Sequence, residues 1–244
     1  MGSSRFPGKP LKPILGMPMI GHVLKRTYMC SSLEDVYVAT CDTEIFDYIE
    51  SIGGKAVMTS KNHERCTDRT AEAVNKIEKM LKKSFDIVLM IQGDEPMITP
   101  LMIETALEQL KHDEEVNVVN LISPIKKIGE FKDPNEVKVV TDLRGNALYF
   151  SREPIPSLKK FKDQKIWFKQ VCIIPFRKSY LFKFNELEET PLEKIESVDM
   201  MRILENGDKV RCVEIDQSTY SVDTPEDLEK VEKLMKKDLF LNKY

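Results

Sequence analysis

The stretch DIVLMIQGDEP, which runs from Asp86 to Pro96, joins a continuous apolar run to a short acidic motif. A run of aliphatic residues without alternating polar ones is typical of a strand that is buried on both faces of a parallel sheet. A carboxylate that directly follows the carboxyl end of such a strand lies over the crevice where open α/β sheets bind their ligands. The stretch therefore predicts an α/β fold, and it places Asp94 at the binding edge of the sheet.

Strand-like and helix-like segments alternate on both sides of this stretch. Ahead of it, β-rich runs cover 35–40 and 55–59, and helical patterns cover 43–52 and 68–81. After it, a helix begins at Thr99-Pro100 and runs toward Lys111, and a further strand covers 116–121. Alternation of this kind favours a Rossmann-like three-layer sandwich with a mostly parallel sheet.

The second half of the chain departs from this alternation between residue 137 and about residue 175. Three strand-like pieces follow one another closely there, at 137–140, 147–150 and 171–174, and the turn signal DLRGN separates the first two. Helical patterns at 178–187 and 192–204, a strand at 209–215 and a helix capped by Thr224 complete the chain. We interpret the chain as one domain, residues 1–244, with a small β-rich insertion.

The bulk composition argues against several classes of protein. The formal net charge is -3 with 32% charged residues, so no basic excess predicts binding to nucleic acid. No apolar run approaches the ~20 residues that a membrane span needs, and no charged and then apolar leader opens the chain. The cysteines are scattered without C-x-x-C spacing, and the histidines offer no metal-binding pair. These features predict a cytoplasmic protein with reduced thiols that binds neither nucleic acid nor a membrane.

A second acidic motif, SVDTPED from Ser221 to Asp227, also follows a short apolar run. Asp94 and Asp223 together predict one metal site. Their hard carboxylate oxygens suit Mg²⁺, which takes one or two protein carboxylates and leaves its other positions to water and phosphates. The simpler alternative for Asp223 is a carboxylate in the cap or the first turn of the helix that begins at Thr224.

The amino-terminal loop GSSRFPGKP, residues 2–10, combines small residues with two cations. Gly2 and Ser3 permit close backbone approach, and Arg5 and Lys9 can bind phosphate oxygens. A solvated surface loop is the alternative interpretation of this segment. Together with a metal site, a basic Gly-rich loop predicts that the ligand is a nucleoside triphosphate.

Seven motifs occur in a fixed order along nearly the whole chain: GSSRFPGKPL, MTSxxH, TDR, QGDEP, ALYFSRxPIP, LENG and VDTPEDLE. In this order they resemble the motifs of the 3-deoxy-manno-octulosonate cytidylyltransferases, also called CMP-Kdo synthetases. The resemblance implies that the anomeric hydroxyl of a 3-deoxy-2-ulosonic acid sugar attacks the α-phosphate of CTP, which yields a CMP-sugar and pyrophosphate. It also implies a homodimer that supplies activated sugar for lipopolysaccharide or capsule.

The resemblance also implies roles for particular residues. As catalytic groups, Arg5 and Lys9 hold the triphosphate and the departing pyrophosphate, and Asp94 and Asp223 hold Mg²⁺. The nucleotide-binding residues are Gly2, Ser3, Arg5, Lys9, Thr67, Asp68, Arg69 and Gln92. Within this set, the Thr67-Asp68-Arg69 turn matches the family's cytosine-reading turn. The alternative for Arg69 is an ion pair with an acid in the first turn of its own helix, and we expect His63 to shape the adjacent loop.

The sugar side combines one match with several departures. Arg152 matches the family cation that pairs with the sugar carboxylate, a task that suits a planar guanidinium. Gln170 and Ile174 stand where the family usually has a histidine and a tyrosine that contact the sugar. Asp199 and Met200 stand where a glutamate and a glutamine are usual. We therefore expect Arg152, Gln170, Asp199 and Met200 to bind the sugar, with a relaxed choice among related acids.

The resemblance further predicts an apolar first strand and an arginine ahead of the Gly-rich loop, whereas this sequence begins at Met1-Gly2. Three functions are left open by the sequence. They are activation of Kdo, activation of a related acid such as 8-amino Kdo or a nonulosonate, and nucleotide binding by a catalytically impaired homologue. Retention of Asp94, Asp223 and Lys9 favours the two enzymes over the binding-only homologue.

Overall fold

The computed structural model describes residues 6–159 and 167–244. The chain divides into two compact units. Unit 1 contains the residues up to Ser84 together with Ile91–Glu104 and Thr219–Tyr244, and unit 2 contains Phe85–Met90 and Thr105–Ser218. The single domain of 244 residues stays a prediction.

Strands and helices alternate along the described residues. The strands are β1 (Pro13–Ile14), β2 (Met17–Pro18), β3 (Val38–Thr40), β4 (Ala56–Met58), β5 (Ile87–Ile91), β6 (Val119–Pro124), β7 (Lys138–Thr141), β8 (Ala147–Ser151), β9 (Phe168–Val171), β10 (Ile173–Arg177) and β11 (Arg211–Glu214). The helices are α1 (Met19–Tyr28), α2 (Thr43–Ser51), α3 (Cys66–Leu81), α4 (Pro100–His112), α5 (Ile128–Lys132), α6 (Lys178–Glu186), α7 (Pro191–Glu196), α8 (Met200–Glu205) and α9 (Pro225–Met235), with short 3-10 helices at Lys9–Leu11 and Leu241–Lys243. No described helix is both long enough and apolar enough to cross a membrane.

The strands pair in parallel in some places and antiparallel in others. β3 pairs in parallel with β4, and β6 pairs in parallel with β11. β9 pairs antiparallel with β6 and with β7, and β7 pairs antiparallel with β8, which gives the sheet order β11-β6-β9-β7-β8. Each antiparallel pair of this sheet includes a strand from the segment 137–175, where the sequence predicted closely spaced strands. The α/β class is confirmed, and the parallel pairs β3–β4 and β6–β11 lie outside this segment.

Helix α3 illustrates how the apolar spacing forms a helix. Ala71, Val74 and Ile77 recur at helical spacing and are all buried, so one face of α3 packs inward. The helix ends where Lys82 adopts the left-handed conformation at φ 53°. The apolar stripe does not extend to the last turn, because Leu81 is 41% exposed.

Three local details differ from the sequence patterns. Residues 192–204 were expected to form one helix, but Ser197 takes a φ of 53° and separates α7 from α8. A buried bidentate ion pair joins the two helices, with Arg202 Nη2 at 2.6 Å from Glu193 Oε1. The strand expected at 171–174 is shared between β9 and β10, which meet at Cys172. Helix α1 had no sequence prediction at all.

Candidate active site

Unit 1 contains a lysine that lies between two aspartates. Lys9 Nζ lies 2.7 Å from Asp94 Oδ2 and 3.3 Å from Asp223 Oδ1. The three side chains are largely shielded from solvent, with exposed fractions of 11% for Lys9, 21% for Asp94 and 18% for Asp223. Asp94 and Asp223, which lie 85 and 214 positions after Lys9 in the sequence, thus contact the same ammonium group.

Apolar residues pack against the loop that carries Lys9. Gly8 adopts the left-handed conformation at φ 71°, which glycine reaches without steric cost, and the chain then enters the 3-10 helix at Lys9. The backbone N–H of Lys9 donates to the carbonyl oxygen of Phe6 at 3.1 Å. Phe6 and Ile14 belong to a buried cluster that also contains Met19, Val222, Val231, Met235 and, at its edge, Leu241. Packing on both sides of the loop therefore holds the Lys9 ammonium in place.

A backbone contact joins the two acidic motifs. The N–H of Val222 donates to the carbonyl oxygen of Asp94 at 2.9 Å. Gly93 precedes this contact, and a Cβ there would lie 2.9 Å from Cδ1 of Ile20 on α1, so a larger residue would require the Ile20 side chain to shift. The main chain thereby places Asp94 beside Asp223, as one shared site requires, although the apolar run before Asp223 is not a strand, since β11 already ends at Glu214.

The helix cap beside Asp223 is provided by other residues. Thr224 and Asp227 form a capping box at the start of α9, in which Thr224 Oγ1 accepts from the N–H of Asp227 at 3.2 Å. The Asp227 carboxylate accepts in return from the backbone N–H groups of Thr224 at 3.0 Å and of Asp223 at 3.2 Å. The simpler interpretation of Asp223 as a cap is therefore wrong, because its carboxylate pairs with Lys9 instead.

The electrostatics of the site favour a charged lysine. Burial lowers the pKa of Lys9, but the two carboxylates act in the opposite direction, and the net pKa is raised above its ordinary value. The ammonium therefore stays charged at neutral pH. The two carboxylates therefore form a site whose oxygen atoms bind a cation, which is the Lys9 ammonium in this structure.

The donor set fits a metal ion that brings most of its own ligands. Among the described residues, no group of three or more His, Cys, Asp or Glu side chains is arranged to hold a metal. Asp94 and Asp223 supply two carboxylates, which is the number that Mg²⁺ usually takes from a protein when phosphates and water complete its shell. The pair therefore suits a cation that arrives with a phosphate ligand better than a permanently bound one.

The predicted cytosine turn lies at the start of α3 in the same unit. Thr67 is fully buried, and Arg69 donates from Nη1 to Thr59 Oγ1 at 2.5 Å and to the Ser60 carbonyl at 3.2 Å. Its Nη2 donates to the His63 carbonyl at 3.5 Å. Arg69 therefore supports the loop between β4 and α3, which differs from the ion pair that was the alternative.

The other nucleotide-side residues have simpler surroundings. His63 pairs with Glu72 of α3, so it shapes the same loop as expected. Gln92 and Asp68 are half-buried in unit 1. The predicted phosphate-loop residues Gly2, Ser3 and Arg5 lie outside the described residues.

Unit 2 holds the predicted sugar-side residues, and Arg152 is the most strongly bound of them. Its Nε donates to the Glu196 carbonyl at 2.7 Å, its Nη1 to the Pro134 carbonyl at 3.0 Å and its Nη2 to the Ser197 carbonyl at 3.4 Å. The Glu196 carboxylate also accepts from the Arg152 backbone N–H at 2.8 Å. The guanidinium is thus held at the junction of two loops.

The remaining sugar-side residues differ in their availability. Gln170 on β9 donates to Asn120 Oδ1 at 2.7 Å, so its amide takes part in a polar pair between neighbouring strands. Asp199 is half-buried. Met200 is 1% exposed and packs as a core residue of unit 2. The sequence pattern suggested that Glu196 lies on a solvated helix face, whereas its carboxylate binds Arg152. The buried Lys138, which donates to the Arg152 carbonyl, was not predicted, and its signal was a lysine inside the apolar strand 137–140.

Comparisons with known proteins place this fold in one class. The fold resembles a putative glucose-1-phosphate thymidylyltransferase from Bacillus anthracis, with a TM-score of 0.66 at 15% identity over 95% of this chain and 88% of that one. A solved structure of CMP:2-keto-3-deoxy-manno-octonic acid synthetase complexed with CTP matches with a TM-score of 0.86 at 40% identity, over 98% of this chain and 95% of that one. The fold is therefore that of a nucleotidyltransferase.

Sequence relatives make the class narrower. The family model described as cytidylyltransferase matches residues 1–212. The 3-deoxy-manno-octulosonate cytidylyltransferase of Geotalea uraniireducens is 41% identical over 96% of this chain and 95% of its own length, and that of Syntrophotalea carbinolica is 43% identical over 94% and 93%. The chain belongs to the family of the 3-deoxy-manno-octulosonate cytidylyltransferases. Membership indicates a divalent metal cofactor in general terms.

Proposed function

We propose that this protein transfers CMP from CTP to the anomeric hydroxyl of Kdo and releases pyrophosphate, in support of lipopolysaccharide or capsule synthesis. In the reaction the hydroxyl oxygen bonds to the α-phosphorus, the bond from that phosphorus to the bridging oxygen breaks, and the hydroxyl proton passes to solvent. The observation that carries the proposal is the Lys9, Asp94 and Asp223 cluster. It lies in a chain that is 40% identical to a synthetase complexed with CTP.

The catalytic role falls mainly on charge and position, as in other phosphoryl and nucleotidyl transfers. In this proposal Asp94 and Asp223 would hold Mg²⁺, which would lower the pKa of the attacking hydroxyl. With the two carboxylates bound to the metal, the Lys9 ammonium would be available to phosphate oxygens. Lys9 and Arg5 then neutralise the charge that develops on the departing pyrophosphate.

Residues at the start of α3 select the nucleotide in this proposal. Thr67, Asp68 and Arg69 present backbone groups and a guanidinium to the edge of cytosine, with Gln92 on the same nucleotide side. The three bonds from Arg69 to the preceding loop support this role, because they keep the reading groups in a fixed position. We therefore expect CTP to be used well and ATP or GTP poorly.

The sugar carboxylate is assigned to Arg152. A guanidinium carries five N–H groups, and three of those in Arg152 donate to carbonyl oxygens of described residues. The two that are left match the number that a carboxylate needs for a bidentate pair. Arg152→Ala should therefore raise the sugar KM strongly and change the CTP KM little.

A second candidate substrate is a related acid such as 8-amino Kdo or a nonulosonate. Two observations favour it: the amide of Gln170 is engaged by Asn120, and Met200 is a core residue that offers no hydrogen bond. Where a site makes only apolar contact with a substrate hydroxyl, it discriminates about 10- to 200-fold, against about 10⁴-fold or more for a hydrogen-bonding site. The double variant Gln170→His with Met200→Gln should shift the preference toward Kdo.

We also propose a homodimer in the cytoplasm, formed through the outer strand of the five-stranded sheet. β8 ends the strand order, and the backbone N–H groups of Ala147 and Phe150 already donate to Val210 O and Met201 Sδ, so side chains rather than added backbone pairing would form the contact. Leu148 on this strand is 61% exposed, and Ile195 on α7 is 74% exposed. The hydroxyl of Tyr149 reaches the Glu196 carboxylate at 3.1 Å, so the two apolar side chains belong to neighbouring elements. Light scattering should give a dimer for the wild type and a monomer for Leu148→Glu; a monomeric wild type contradicts this part.

The decisive experiment is a coupled assay of pyrophosphate release with the purified protein. CTP, UTP, ATP and GTP are each combined with Kdo, 8-amino Kdo and a nonulosonate, with Mg²⁺ or with EDTA. Release that requires CTP, Mg²⁺ and a sugar acid supports the proposal, and the sugar with the highest kcat/KM identifies the substrate. Equal rates with all four nucleotides contradict the cytosine turn. No release with any sugar acid contradicts the enzyme and leaves the binding-only homologue.

A further inference from the structure

Unit 2 contains a lysine whose ammonium group is buried in the sheet. Lys138 is the first residue of β7 and is 0% exposed. Its Nζ donates to the carbonyl oxygens of Asp133 at 2.7 Å and of Glu136 at 2.6 Å, and also to the carbonyl oxygen of Arg152. An ammonium group has three N–H donors, so all three are used on main-chain oxygens. Lys138 therefore connects three backbone carbonyl groups through one nitrogen atom.

The same loop is bound by the Arg152 side chain. Arg152 Nη1 donates to the carbonyl oxygen of Pro134, which lies between the two loop carbonyls that Lys138 binds. Lys138 and Ser151 are partners in the β7–β8 ladder, so Arg152 follows directly after the residue opposite Lys138. Arg152 is thus attached to the loop 133–136 twice, through its guanidinium directly and through its backbone carbonyl by way of Lys138.

A second buried lysine holds the other side of this loop. Lys169 on β9 is 2% exposed and forms ion pairs with Glu130 at 2.8 Å and Glu136 at 3.0 Å. Its position in the ladder is opposite Lys138. The carboxylate of Glu136 is therefore fixed by Lys169, while its carbonyl oxygen is fixed by Lys138. The loop has little freedom to move away from Arg152.

A buried cation that bonds to neutral carbonyls is costly to keep. Removing an ammonium from water carries a desolvation penalty, and here its hydrogen bonds all go to main-chain oxygens, while the carboxylates of Asp133, Glu136 and Glu153 act on it only through their charge. An apolar residue of similar length fits a core-facing strand position without this cost. The lysine joins the loop 133–136 to the backbone of Arg152 by hydrogen bonds, which an apolar side chain cannot form.

We propose that Lys138 is a positioning residue for the sugar carboxylate, which sets the orientation of the Arg152 guanidinium through the loop 133–136. The inference rests on the proposed function, since it takes Arg152 as the carboxylate-binding group. Lys138 is fully buried and does not contact the substrate in this arrangement. Its effect should therefore appear in the sugar KM and pass entirely through Arg152.

The test is a double-mutant cycle with Lys138→Met and Arg152→Ala, in which KM and kcat are measured for the sugar acid and for CTP. We expect Lys138→Met to raise the sugar KM about 10- to 100-fold, the range found for groups that orient metal-binding side chains, and to change the CTP KM less than about twofold. In the Arg152→Ala background the same substitution should add almost nothing, because the two act as one unit. A merely structural role would give effects that add, and would change both KM values alike.

Lys138→Gln provides the second variant in case the methionine variant does not fold. The amide retains two N–H donors without the charge, so the sugar KM should fall between those of the wild type and Lys138→Met. If Arg152→Ala raises the sugar KM while neither Lys138 variant does, the positioning role is wrong and the proposed function stands. If Arg152→Ala leaves the sugar KM unchanged, the assignment of the carboxylate is wrong, and the positioning role fails with it.

Discussion

Two carboxylates four residues apart, Asp223 and Asp227, separate the role of the site from the role of the helix cap. Asp223 pairs with Lys9 at 3.3 Å, whereas Asp227 closes the capping box of α9. We expect Asp223→Ala to abolish most of the turnover with little loss of stability. The same substitution at Asp227 should lower stability and leave most of the turnover. Each variant is the matched control of the other.

The magnitudes follow from the contacts of each carboxylate. The Asp227 carboxylate accepts from two backbone N–H groups and the Thr224 hydroxyl, so its removal should cost about 1 kcal/mol, within the range of 0.5–2 for helix caps. In a chain of this size, that cost lowers Tm by about 2–4 °C. Loss of one preorganised charged group at a reaction centre typically lowers kcat by ~10²- to 10³-fold, which we expect for Asp223. Lys9 retains its closer partner Asp94, so the fold should tolerate that loss.

The measurements are pyrophosphate release with saturating CTP and sugar acid, and urea denaturation followed by circular dichroism. Reduced turnover in both variants with equal losses of stability would show that α9 as a whole, rather than the Asp223 carboxylate, supports activity. An Asp223→Ala variant that keeps turnover within about threefold of the wild type refutes the two-carboxylate site.

Three further predictions concern single positions. Lys9→Met should lower kcat by ~10²-fold or more, while Lys12→Met, which changes an exposed lysine in the same loop, should leave kcat within about twofold in the pyrophosphate assay. Arg202→Met leaves the buried carboxylate of Glu193 without its guanidinium partner, and urea denaturation should show a loss of about 3–5 kcal/mol; a loss below ~1 kcal/mol contradicts the buried ion pair. The Lys76 ammonium and a backbone N–H are the main groups that lower the pKa of Glu72 from 4.5 to about 2. Because the pKa is depressed in the folded state, this stabilisation should be complete above pH 4.5 and disappear as the pH falls toward 2. The measurement is the difference in unfolding free energy between the wild type and Glu72→Gln as a function of pH.

The elements that could be predicted from the sequence are those with a strong local signal. The apolar run of β5 is found at Ile87–Ile91, and the cap signal at Thr224 is confirmed as a capping box. Helix α1 carries no such signal, since it follows Pro18 with no side-chain cap and contains Gly21. A Cβ at Gly21 would lie 2.4 Å from the Tyr48 hydroxyl, so this glycine is set by tertiary packing. The break at Ser197 has the same origin, because a serine in the left-handed conformation is not a local preference.

The site was predictable to the extent that topology determines it. Strand-end carboxylates were expected to converge, and the contact between Val222 and the Asp94 carbonyl places the two motifs side by side. The direct pairing of Lys9 with both carboxylates was not expected, because the sequence assigned Lys9 to phosphate. Lys138 could not be predicted as a partner of Arg152, since its three acceptors are backbone carbonyls that carry no residue-specific signal.

The pairing of Lys9 with both aspartates has a consequence for how substrate and metal bind. Two carboxylates that converge on one point repel each other, and the ammonium offsets this repulsion while it is shared between them. In the proposed function Asp94 and Asp223 would hold the metal with the oxygens that bind the ammonium here, and Lys9 would then be available to a phosphate of the substrate. Binding of metal and binding of triphosphate are then linked through one side chain. Lys9→Met should therefore weaken this linkage, so that the apparent affinity for CTP depends less on the Mg²⁺ concentration than it does in the wild type.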